Sequence, residues 1–264
     1  MASFGLDLQN DTTGGDPNFR LDVGAVISRS FGVWGANLLS FTLVGVVVLS
    51  PVLLGLGLLA LAGATQPLVE RILGWVSNIL TLALTGGVTY GVFQDIRGER
   101  ASAGDVLRMG MSKLGTVWVT GILAGLAIAL GFCALIVPGL ILMVRFWLAV
   151  PVAVIESPGA SASLSRSTDL TEGNRWRIFA VSVLMFVVQL VATLIVGAGI
   201  AFVTGAASSA ALEPTKQTAG VQFLLELLVI PIAALAAVAP AIAYHDIRKG
   251  KEGADVEELL KAFD

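Results

Sequence analysis

The chain has 264 residues, 56% of them hydrophobic and 13% charged, with a formal net charge of −3 and a mean hydropathy of +0.87. So apolar a composition excludes an ordinary soluble domain, and the acidic balance, with a pI near 5.2, argues against nucleic acid as a partner. One cysteine, Cys133, excludes an intramolecular disulfide, and one histidine, His245, excludes a multi-histidine metal centre, so neither metal nor cofactor is expected.

Residues 1–20 are polar and acidic, carry Gly14-Gly15 and lack the basic start and apolar stretch of a signal peptide, which predicts a disordered cytoplasmic tail. A membrane domain over 21–248 follows. A hydrocarbon core of about 30 Å asks for runs of about 20 apolar residues, and six such runs fall near 38–62, 72–94, 115–136, 138–155, 177–203 and 219–244. Ser50-Pro51, Pro231 and Pro240 predict kinks in the first and sixth. Residues 249–264 read as a cytoplasmic amphipathic helix, opened by the capping box Asp255-x-x-Glu258 and carrying Val256, Leu259, Leu260 and Phe263 on one face.

Lys and Arg are retained on the cytoplasmic side of short loops. Of the sixteen in the chain, thirteen fall in the tails and even-numbered loops, whereas the odd-numbered loops hold only Arg71 and Lys216. Both termini are therefore expected in the cytoplasm.

The spans group into three pseudo-repeats, each an interfacial amphipathic stretch followed by a helical hairpin, which gives an all-α, six-span transmembrane bundle. The stretches begin at Asp22, Ser102 and Ser157, carry Arg29, Arg108 and Arg166, and lead to Asn37, Gly115 and Asn174. The second and sixth spans close alike, with Asp95-Ile96-Arg97 and Asp246-Ile247-Arg248, and the fourth ends in Ile155-Glu156. An acid at that end opposes the helix macrodipole unless a cation compensates it. A cytoplasmic ring is expected in which Asp95, Glu156 and Asp246 pair with Arg29, Arg108 and Arg166, either as architecture or as a ligand site.

Arg145 stands within the apolar run 135–155, where a charge costs about 2.5 to 3.5 kcal/mol on insertion scales and needs a partner or a role. Counted at about 1.5 Å per residue, Asn78, Arg145, Gln189 and Glu226 fall in one layer in the outer third of the bilayer, with Ser50 beside them and Gln222 one turn before Glu226. The expected core of the layer is a desolvated Arg145–Glu226 pair. Either a structural lock or a hydrated substrate or proton site fits this placement. Asn78, Thr81, Thr85 and Thr89 form a polar stripe read as bonding a neighbouring helix or lining a pore; Gly87-x-x-x-Gly91 and Gly121-x-x-x-Gly125 read as helix contacts, and Cys133 as a small core residue.

The stretch 135–179, with Pro138-Gly139, Arg145, Pro151, Glu156, Leu170-Thr171, Gly173-Asn174 and Arg175-Trp176, resembles the membrane domain attached to some bacterial glycerophosphodiester phosphodiesterases and related uncharacterised YciC-type multipass families. Tyr244, Asp246, Arg248, Glu252, Gly253 and Asp255 resemble the ending of that family. The resemblance implies six spans in a bacterial cytoplasmic membrane. It does not imply phosphodiesterase activity, which belongs to a separate soluble barrel with a His-Arg-Gly segment, whereas His245 is followed by Asp246.

No His-Glu-x-x-His, Gly-x-Ser-x-Gly or P-loop is present. The expectation is a non-enzymatic protein of the inner membrane acting in membrane or lipid homeostasis, with membrane lipids and a membrane-protein partner as its contacts. The alternative is a small-solute or lipid transporter using the outer-third polar layer.

Overall fold

The computed structural model describes residues 15–16, 18–63, 66–99, 102–204 and 219–253, and all regular structure among them is helical. In chain order the helices are α1 (Val23–Ala36), α2 (Leu38–Leu61), α3 (Pro67–Ile96), α4 (Ala103–Ala134), α5 (Ile136–Arg145), α6 (Ala149–Ile155), α7 (Ala160–Thr171), α8 (Arg175–Thr204) and α9 (Ala219–Glu252). Six segments are long and apolar enough to cross a membrane: α2, α3, α4, the α5–α6 pair as one stretch Ile136–Ile155, α8 and α9. The chain is an all-α multipass membrane protein.

Between lipid tails the helices gain nothing from hiding apolar surface, so close backbone approach and polar contacts must hold them. Small residues supply the approach. A Cβ on Gly87 would lie 2.5 Å from the Val106 carbonyl oxygen, and one on Gly110 2.5 Å from that of Ala83, so α3 and α4 cross nearly backbone to backbone. Gly45 of α2 likewise accommodates Ile230 of α9, and Gly131 of α4 faces Gly139 of α5 across their short connection at Leu135. The second half of α9 is buried almost all round, from Ala234 through Ala237, Val238 and Ala241 to Ile247, because its alanines let α1, α2, α3 and α8 pack closely. Long apolar side chains such as Leu54, Leu130 and Phe186 face outward, as a lipid-facing surface requires.

The fourth span is broken at Phe146–Leu148, directly after Arg145. Pro151 has no N–H for the carbonyl of Trp147 and would clash with it, so a new helix starts with Pro151 in its first turn. The break leaves the Arg145 carbonyl without its helical partner, and the Ser167 hydroxyl of α7 donates to it at 2.6 Å. Ser167 is fully buried. α2 and α9, by contrast, run unbroken through Pro51, Pro231 and Pro240.

Three expectations need correction. The amphipathic stretch from Ser102 is not a separate interfacial helix; it forms the first turns of α4, because Val106 and Gly110 pack on the glycine face of α3. Residues 249–252 continue α9 rather than opening a new helix. Cys133 is exposed on the bundle surface, not a core residue. Residues 1–14, the bulk of the expected tail, and 254–264, with the expected capping box, lie outside the described residues. Residues 18–21 are held: Asn174 donates from Nδ2 to the Phe19 carbonyl (2.9 Å) and accepts from the Leu21 amide (2.8 Å), while Arg177 donates to the Leu21 carbonyl (2.6 Å).

Candidate functional site: an ionic network at one end of the bundle

The two ends of the bundle differ chemically. At the charged end α1 packs on α9, α7 packs on α6 and α9, and Asn37, just after α1, reaches Asp95 in the last turn of α3; the opposite end carries the α2–α3 and α4–α5 connections and the first turns of α9.

Glu156 caps the C-terminus of α6, where a carboxylate opposes the helix dipole. It is compensated from three sides. The Arg166 Nε of α7 donates to both of its oxygens (3.2 and 3.0 Å), the Tyr244 hydroxyl of α9 donates to Oε1 (2.9 Å), and an Arg248 guanidinium nitrogen lies 3.3 Å from Oε1. Arg166 also reaches Glu252 at 2.7 Å, and Arg248 lies 3.3 Å from Glu252 and donates to the Tyr244 hydroxyl at 2.8 Å. Two acids, two arginines and a phenol thus close a neutral network across α6, α7 and α9. Tyr244 is fully buried with the Phe93 ring edge-on against it, centroids 6.0 Å apart. The hydrogen bond to Glu252, together with the charge of Glu156, holds the Arg166 guanidinium above its ordinary value against the opposing cost of burial. The charges keep only 18 to 34% of their side-chain exposure, so losing one partner leaves an incompletely solvated charge behind.

Lys251 anchors the same corner. Its ammonium donates to the carbonyls of Leu170 (3.0 Å) and Glu172 (2.6 Å), satisfying the C-terminal end of α7.

Beside this network Arg29 of α1 pairs with Asp246 at 2.5 Å, and His245 Nδ1 lies 3.1 Å from the same carboxylate oxygen. Of the six expected ring residues, the structure therefore joins Arg29 with Asp246 and Arg166 with Glu156. Asp95 accepts instead from Asn37 Nδ2 (2.7 Å), and Arg108 lies 3.6 Å from Asp105 on its own helix, both well exposed. The geometry of α4 excludes Arg108: Val106 and Gly110 face α3, and a residue two positions from each points about 200° away.

Only part of the expected outer polar layer assembles: Asn78, Gln222 and Glu226 line one cavity between α2, α3 and α9, whereas Arg145 and Gln189 lie apart from it. Arg145 and Glu226 form no ion pair; α5 packs on α4, α7 and α8, whereas Glu226 accepts from the Ser77 hydroxyl of α3. Arg145 Nε is buried without a hydrogen-bond partner. Gln189 donates to the Ile232 carbonyl (2.8 Å), tying α8 to α9, and Gln222 lies 3.4 Å from Glu70. Ser50 donates to the Val47 carbonyl of its own helix. Nor does the stripe on α3 bond a neighbour: Asn78, Thr81, Thr85 and Thr89 each donate to the carbonyl four residues earlier, at 2.8 to 2.9 Å. In an apolar setting that back-bond is the nearest acceptor available to a short hydroxyl side chain.

Tyr244, Arg248 and Glu252 were assigned no role from sequence beyond their place in the resembling tail. Their spacing of four was a usable signal, because it places all three on one face once α9 is continued to Glu252. Ser77 and Glu70 carried no such signal.

In comparisons with known proteins, no curated protein and no solved structure matches. One family model does, over residues 76–246, from the second spanning helix to the Asp246 that pairs with Arg29. The chain belongs to that family, described as DUF7847, a domain of unknown function.

Proposed function

We propose that this chain is a non-enzymatic integral membrane protein acting in membrane or lipid homeostasis through contacts with phospholipid, seated in a bacterial cytoplasmic membrane with its charged end in the cytoplasm. The observation that carries the reading is the neutral network of Glu156, Arg166, Tyr244, Arg248 and Glu252, which fastens α7 to two spanning helices and makes that end a fixed platform. The resemblance of 135–179 to a membrane domain that accompanies lipid-cleaving enzymes supports the lipid connection. Thr81, Thr85, Thr89 and Gln189 favour a scaffold over a carrier, because they bond their own helix or a single carbonyl on a neighbour; the Ser77–Glu226 and Gln222–Glu70 contacts are the exceptions. The transport alternative used the whole outer-third layer, and two of its five residues, Arg145 and Gln189, stand apart from the group that Asn78, Gln222 and Glu226 form.

The test is reconstitution of the full chain in liposomes, following fluorescent phospholipid and small anions, with native mass spectrometry of the detergent-solubilised protein titrated with phospholipid. Retained phospholipid and flux equal to that of protein-free vesicles are expected. Flux that scales with protein, or an absence of retained phospholipid, would overturn the reading.

A further inference from the structure

At the end opposite the ionic network a cavity of about 510 Å³ opens between α2, α3 and α9. That volume lies within the range of small-molecule sites, about 300 to 1,000 Å³. Its inner neighbourhood is apolar: Leu49 and Leu53 of α2 form a buried cluster with Ile230 of α9. Val52 and Leu56 line the α2 wall.

Two carboxylates line this cavity from different helices, Glu70 of α3 and Glu226 of α9. Among the described residues their hydrogen-bond donors are neutral. Glu226 Oε1 accepts from the Ser77 hydroxyl, and Glu70 Oε2 lies 3.4 Å from Gln222 Nε2. Glu70 Oε1 is buried with no donor at all. Among the described residues neither carboxylate forms an ion pair. Because Gln222 stands one turn before Glu226, the two acids flank a single turn of α9. Arg71, exposed on the lining, offsets one of the two charges and leaves the lining with a net charge of −1.

A carboxylate held in low-polarity surroundings without a cation is costly, and the cavity leaves room for the missing charge. The ligand chemistry follows from what else lines it. Trp75, largely exposed, presents an indole, the aromatic that attracts cations most strongly. The Asn78 side chain adds an amide, and the α2 wall offers apolar surface to a short carbon chain. The volume is far larger than a bare ion needs, and no trio of metal-ligating side chains occurs among the described residues.

We propose that this cavity binds a small organic ammonium ion, its nitrogen taken between Glu70 and Glu226 and its carbon skeleton laid against Trp75 and the α2 wall. The site lies at the far end of the bundle from the ionic network and does not depend on how that network functions.

The experiment titrates the full-length protein in detergent with n-butylammonium chloride by isothermal calorimetry, with sodium chloride and sodium butyrate as parallel arms. Saturable binding of butylammonium in the millimolar range is expected, with no heat from butyrate and no competition by sodium. Glu226→Gln and Glu70→Gln should each weaken binding by about tenfold or more, and Arg166→Met should leave it unchanged. Trp75→Leu, at an exposed position, keeps the test open if a Glu variant fails to fold, and should also weaken binding. No saturable binding to the unaltered protein, equal competition by sodium, or affinity unchanged in all three cavity variants would overturn the proposal.

Discussion

The Tyr244 hydroxyl donates to Glu156 Oε1 at 2.9 Å and accepts from Arg248 at 2.8 Å, so one fully buried phenol links the cap of α6 to the face of α9 that also carries Glu252. Its donor role cannot be taken over by Phe93 or by water, since the ring is enclosed. Tyr244→Phe should therefore destabilise the protein by about 1.5 kcal/mol, the low end for a hydrogen bond to a charged group, because both arginines remain on Glu156. Reversible unfolding in mixed micelles measures the loss. Stability equal to that of the unaltered protein would show that the phenol contributes nothing to the network.

Gly110 and Gly125 both lie on α4, yet the structure separates them. A Cβ at Gly110 meets the Ala83 carbonyl oxygen at 2.5 Å, whereas one at Gly125 meets nothing within 4 Å. Gly110→Ala should cost about 1 to 3 kcal/mol through overpacking against a backbone atom that cannot rotate away. Gly125→Ala should be neutral or slightly stabilising, since alanine is the better helix former. Thermal unfolding of the two variants side by side decides it, and equal behaviour would contradict the close α3–α4 crossing.

The six spans were legible because lipid demands long apolar helices, and their run lengths stand in the sequence without reference to any partner. Arg29 with Asp246 and Arg166 with Glu156 were legible because arginines before each hairpin and acids after it had to be compensated at one surface. Arg145 with Glu226 was misread for a physical reason: depth along a span is written in the sequence, but the angular position of a helix in the bundle is not. Two residues at matching depth can face different neighbours. The same ignorance of rotation placed Arg108 in the ring, although the α3–α4 crossing turns it outward. The break after Arg145 was hidden in an apolar run, and only Pro151 marked it.

Arg145 and Glu226 give that separation an energetic test. With no contact between them and different packing neighbours, the effects of Arg145→Met and Glu226→Gln on unfolding free energy should add to within about 0.5 kcal/mol. Arg145→Met by itself should be neutral or stabilising, because it removes a buried Nε that has no acceptor. A coupling energy of about 1 kcal/mol or more in the double-mutant cycle would restore the pair and contradict the observed packing.

Orientation follows from charge and can be read chemically. The charged end holds most of the lysines and arginines, and retention of such residues on the cytoplasmic side predicts that Ser161 faces the cytoplasm while Gln66, ahead of α3 at the opposite end, faces outward. Both positions are exposed, so a cysteine at either is open to reagent. Cys133 is exposed as well and has to be replaced first by Cys133→Ala. In intact cells a membrane-impermeant maleimide should then label Gln66→Cys and spare Ser161→Cys until the membrane is opened. Labelling of Ser161→Cys alone would invert the protein in the bilayer, and would place the Glu70–Glu226 cavity on the cytoplasmic side, where the ammonium ion it takes would have to come from inside the cell.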